Sequence, residues 1–144
     1  MMRYRNTIAL MTIAVGAVFS APSYASETDA KRCANEIHQV VDRLEQSLTS
    51  RTAETVTTID RLLRAGRFEA AAAAARDCVA ASLTDVRAAS LYINRVASFC
   101  IRHLIEQKQF KDARRLDQLR QGALERSSAA LDRQERVLSD ALGN

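Results

Sequence analysis

The chain has no tryptophan, one proline and four glycines in 144 residues, and its aromatic residues amount to only 5%. The single proline, Pro22, lies near the start, so nothing after it carries the residue that breaks helices most strongly. Glycine occurs only at Gly16, Gly66, Gly122 and Gly143. That scarcity excludes a glycine-rich phosphate loop and the tight elbow that exposes a nucleophilic serine. Few aromatics and no long basic run argue against a nucleic-acid surface, which interleaves cations with rings for stacking. Two histidines, His38 and His103, leave little material for acid–base chemistry, and no C-x-x-C-H haem attachment site is present.

What is there begins with the first 25 residues. Arg3 and Arg5 precede an apolar run over residues 7–21, and Ser23 and Ala25 set small side chains at the −3 and −1 positions of a cut after Ala25. A charged start, a short apolar middle and a small-residue cleavage site make up a secretory signal peptide. The run is shorter than the roughly 20 residues a spanning helix needs, and no cysteine sits at the cut to carry a lipid. The reading is therefore a cleaved signal over 1–25 and a single helical domain over 26–144, periplasmic or secreted, with no later transmembrane segment. Losing the signal removes two arginines and no acid, so 19 basic residues then face 17 acidic ones, a balance with no pull toward nucleic acid.

Alanine, leucine, arginine, glutamate and glutamine dominate that domain, all strong helix formers, and no segment alternates as a strand would. The fold class expected is all-α, built of antiparallel helical hairpins or a bundle with long first and last helices. From Ala30 to Leu63 the apolar residues stay within one arc of about 160° when wound at helical pitch. The phase survives the serine- and threonine-rich residues 47–58. Two readings stand, one unbroken helix to about Ala65 or a turn near Thr49-Ser50, and phase continuity favours the first. Gly66 suits a left-handed C-cap. A second helix is expected over 68–82 with Phe68, Ala71, Ala75 and Cys78 inward, a turn at 83–85 with Thr84 or Asp85 as N-cap, and a third helix over 86–107, apolar over more than half its circumference. A fourth covers 110–142. In it Ala123, Ala130 and Val137 run beside Leu124, Leu131 and Leu138 at sevenfold spacing, a coiled-coil seam weakened by Ser127 and Gln134. The alanines of 70–75 make a slim helix against which Tyr92, Phe99 and Leu104 can pack closely.

Ile59, Leu62, Leu63, Phe68 and Ala71 recur 42 residues later as Ile101, Leu104, Ile105, Phe110 and Ala113. Each copy straddles an expected turn. "AGRFEAA" (Gly66, Phe68, Ala71) resembles the turn of a tetratricopeptide-type hairpin, and "QKQFKDA" (Phe110, Ala113) is similar, with Lys108 in place of the glycine. The resemblance covers the turns only, and the period exceeds that family's usual length of about 34 residues. It implies a scaffold that takes a peptide or helix in a groove.

Cys33, Cys78 and Cys100 all fall on apolar helix faces. Cys33 and Cys100 are the disulfide candidates. With a break near Ser50 they reach similar heights. With an unbroken first helix Cys33 lies about 45 Å from the Gly66 end at 1.5 Å per residue, and Cys100 would be near that end, leaving no internal bridge. Cys78 reads as a buried thiol. Cys100, His103 and His38, with Tyr92, are the metal or small-ligand candidates, although a metal site needs three or four convergent ligands and His38 does not share a face with Cys33. His103 reads more simply as a core histidine. No nucleophile–base–acid arrangement emerges, so the expectation is no enzyme and no cofactor. The function expected is an exported interaction or scaffold protein binding another exported protein or itself. The alternative is a small-ligand or metal-binding bundle. If the outer helices outrun a short inner pair, their free ends need a partner, and Val40, Val41, Leu44, Leu131, Val137 and Leu138 are the contact candidates.

Overall fold

The computed structural model describes residues 27–143; the signal segment over 1–25 lies outside them. Three helices fill this span: α1 (Glu27–Arg64), α2 (Phe68–Glu106) and α3 (Phe110–Leu142). The chain runs up, down and up, so α1 and α2, and α2 and α3, form antiparallel hairpins, and every helix packs on the other two. The fold is all-α, with no strand among the described residues.

α1 is unbroken. Its threonine-rich stretch stays helical because the hydroxyls bond back one turn: Thr49 to the Glu45 carbonyl, Thr52 to Leu48, Thr55 to Arg51, Thr57 to Ala53 and Thr58 to Glu54, at 2.6–3.1 Å. Such bonds satisfy side chains that would otherwise compete for the backbone. The turn expected at 83–85 is absent, and two expected helices are one. Thr84 bonds the Ala80 carbonyl at 3.2 Å. Asp85 and Ser82 are instead claimed by Arg51 of α1, at 2.6 and 2.8 Å. Without glycine or proline there, residues that resemble a cap are absorbed into the helix and serve as an inter-helix tie.

The joined helix changes the vertical arithmetic. α2 descends its full length of 39 residues, about 58 Å at helical rise, and brings Cys100 beside Cys33. The two form a disulfide with Cα atoms 6.6 Å apart and a sequence separation of 67. The bridge thus coexists with an unbroken α1, a combination the four-helix arrangement forbids. Cys78 is a buried free thiol, on the same helix as Cys100 rather than across a hairpin from it.

The core repeats every 11 residues. On α2 the series Ala71, Ser82, Ile93, Leu104 is buried throughout, as is Cys78, Ala89, Cys100. Ile37, Leu48 and Ile59 do the same on α1, and Leu116, Ser127 and Leu138 on α3. Eleven residues over three turns is 3.67 per turn, close to the natural helix, and dictates straight rods with a slight right-handed drift rather than a left-handed coiled coil. The sevenfold seam on α3 holds at Ala123 and Ala130, which are buried, and is corrected at its end, where Val137 turns outward and Leu138 takes the core position. Ser127 and Gln134 do lie in the seam, buried.

Both turns share one hydrogen-bond pattern. The amides of Gly66 and Arg67 bond the carbonyls of Leu63 and Leu62, and those of Lys108 and Gln109 bond Ile105 and Leu104, all at 2.8–2.9 Å. Gly66 has φ 70° and Lys108 φ 61°, so a lysine holds the left-handed position that glycine fills without strain. Phe68, expected inward, is exposed, and so is Phe110 at the matching turn.

Candidate functional site

Arginines tie each pair of helices. Arg51 joins α1 to α2 through Asp85 and Ser82. Arg120 joins α3 to α2 by donating to Asn94 at 3.1 Å while Asp117 holds it at 2.8 Å. Arg126 joins α3 to α1 through Glu45 at 2.8 Å and Asp42 at 3.0 Å. Those two carboxylates, Glu45 first, raise the pKa of Arg126 further above its ordinary value. Tyr92 adds a hydroxyl bond to Glu36 between α2 and α1. At mid-length the core turns polar. Thr52 and Gln134 are buried and joined at 2.8 Å, and Gln134 Oε1 has no hydrogen-bond partner among the described residues. These groups fix register, and they are consumed in doing so.

The metal and ligand candidates do not converge. Cys100 has its sulfur committed to Cys33. His103 stands 3.1 Å from the Gln107 side chain on α2 and is half-buried, not in the core. His38 is exposed on α1, beside a shallow α1–α3 groove that includes Gly122, Arg126 and Arg133. Among the described residues no group of three histidine, cysteine, aspartate or glutamate side chains could hold a metal ion. A second groove between the same helices, over Ala30, Ala34, Leu116 and Leu119, is rimmed by Asp112 and Arg115, 3.9 Å apart. Neither groove gathers a nucleophile with a base.

The interaction candidates also move. Because α2 runs the full length of the bundle, α1 and α3 have no unpartnered ends. Val41, Leu44 and Leu138 are core residues, Val40 and Leu131 are half-buried, and Val137 alone of the six is exposed. The slim-helix arrangement is corrected in the same way: Phe99 belongs to the same helix as the alanines and faces outward.

The structure exposes a different surface. Of the six large apolar side chains left in solvent among the described residues, Phe68, Leu91, Phe99 and Ile105 belong to α2 and Phe110 and Val137 to α3. The apolar breadth of residues 86–107, more than half the circumference, suits a helix in the middle of a bundle, but a three-helix bundle has no central member, so the outer face of α2 stays exposed. Arg87, Leu91, Arg95, Phe99 and Arg102 follow one another on that face, one turn apart and all exposed. Residues 86–105 contain no acid at all. Among the described residues Arg87, Arg95 and Arg102 make no ion pair with a carboxylate. The signal was visible in the sequence as an acid-free stretch with three arginines, hidden by the assignment of its apolar residues to a core. No helix among the described residues is long and apolar enough to cross a membrane. The chain matches no family model, no curated protein and no solved structure.

Proposed function

We propose that this is an exported, non-enzymatic helical interaction protein that binds another exported protein through the outer face of α2. The observation that carries the reading is that face itself, where Leu91 and Phe99 stand 62% and 53% exposed among unpaired arginines. Arginine and aromatic side chains, here Arg95, Arg102 and Phe99, are enriched at protein interfaces. Elsewhere the polar residues of the interior are spent on holding three rods in register. The signal-like start and the disulfide support export, since such bonds persist in oxidising compartments. The tetratricopeptide-like turns agree with a scaffold role, although the surface proposed here is convex and not a groove.

The test is a photo-crosslinking residue placed at position 91 and, as control, at exposed position 136 on α3, in protein expressed with its own N-terminus. A discrete adduct from 91 and none from 136 is expected, with N-terminal sequencing of the exported form starting at Ser26. Equal adducts from both positions, or none from 91, would remove the reading.

A further inference from the structure

Resting on that reading, we infer that the partner presents an acidic amphipathic helix, laid along α2 with carboxylates facing Arg87, Arg95 and Arg102 and apolar side chains facing Leu91 and Phe99. The three arginines are spaced 8 and 7 residues apart, about 12 and 10 Å along the axis. That is two turns per interval, so a second helix running alongside meets each one with a carboxylate every two turns. Leu91 and Phe99 occupy the turns between. A helix with apolar and acidic residues on alternate turns fits this face throughout its length. Carboxylate–guanidinium bonds are charge-assisted and often bidentate, and those here would use cations that no acid among the described residues pairs with.

Two other occupants fit less well. An anionic membrane attracts cations, but an interfacial helix keeps its charges off the apolar face. Here Arg95 lies one turn from Leu91 and one from Phe99, so sinking both side chains into acyl chains would carry the guanidinium with them. A second copy docking by the same face would set arginine against arginine, with no acid between 86 and 105 on either side, and like charges opposed across an interface are costly.

The probe is a fluorescein-labelled alanine-based helical peptide with glutamate and leucine on alternate turns of one face. Its control has glutamine for each glutamate. Anisotropy is read against the full chain with its disulfide intact. The acidic peptide is expected to bind at least tenfold more tightly than the control at low salt, the margin shrinking as salt rises. The double variant Arg95→Glu, Arg102→Glu should erase that margin, Arg136→Glu on α3 should leave it, and unchanged thermal unfolding should show that each variant folds. Equal binding of both peptides overturns the acidic partner and spares the docking face. Binding of neither peptide overturns it as well, and the position-91 crosslink then decides whether the docking face also falls. Sedimentation with phosphatidylglycerol vesicles that is lost in the double variant would replace the protein partner by a membrane. A dimer abolished by Leu91→Ser would replace it by a second copy.

Discussion

At one end of the bundle the core is made of Ile37, Val41, Ile93, Val96, Leu104 and Leu116, with the Cys33–Cys100 bridge running through it. At the other, the share of α2 shrinks to Ala71, Ala75 and Cys78, set against Ile59 and Leu138. The same three rods with the same 11-residue period are thus held in two ways. The disulfide end has bulk and a covalent tie. The alanine end has small side chains, and its helices must approach closely to bury anything at all. Each end has one turn joining two of the helices. At the alanine end the turn at Gly66 already joins α1 to α2. At the disulfide end the turn at Lys108 joins α2 to α3, and the bridge ties in α1. Between the two ends lies the polar layer of Arg51, Thr52, Ser82, Asp85 and Gln134, which specifies alignment more than it adds stability.

The largest expected effect tests the covalent half of this contrast. Replacing both cysteines, Cys33→Ser with Cys100→Ser, frees a loop of separation 67 and should cost about 4 kcal/mol in the chain-entropy treatment, measured by urea unfolding. Hydrogen exchange should then quicken first over the start of α1. If the alanine end opened first instead, the two ends would not be independent. A smaller loss sharpens the other half. Ala71 is fully buried, so Ala71→Leu should destabilise by about 1–3 kcal/mol through overpacking; a rise in the urea midpoint would mean the alanine end is loose, not close-packed. The polar layer offers a gain. Gln134 has a buried Oε1 with no partner, and Gln134→Leu should raise stability by about 1 kcal/mol by removing that desolvated group, seen as a higher melting temperature. Least of all, Lys108→Gly should add less than about 1 kcal/mol by relieving a left-handed residue, while Gly66→Ala, at the matching turn of the alanine end, should lose a similar amount.

The helices were legible in the sequence where one rule acted alone. Gly66 and the F-x-x-A motif placed both turns, and apolar phase kept α1 whole through its threonines. The sequence misled where two rules competed. "LTD" at residues 83–85 has cap-forming residues, and only the presence of Arg51 across the interface shows that Asp85 is a tie and not a cap. On α3 the sevenfold spacing holds through Ala123, Ser127, Ala130 and Gln134 and then shifts, since Leu138 and not Val137 takes the next buried position. The exposed face of α2 is hard to read for a related reason, since Phe99 sits in sequence among core positions of a bundle that, lacking a fourth helix, does not extend to it.

By itself, then, the order of residues determined that this chain is helical, where it turns and which residues are greasy enough to pack, because propensity, capping and periodicity act over a few neighbours. Tertiary structure decided how many rods there are, which cysteines meet and which apolar side chains stay wet. Those outcomes depend on vertical register over about 58 Å of helix, and register is fixed only when distant side chains such as Arg51 and Asp85, or Cys33 and Cys100, find each other.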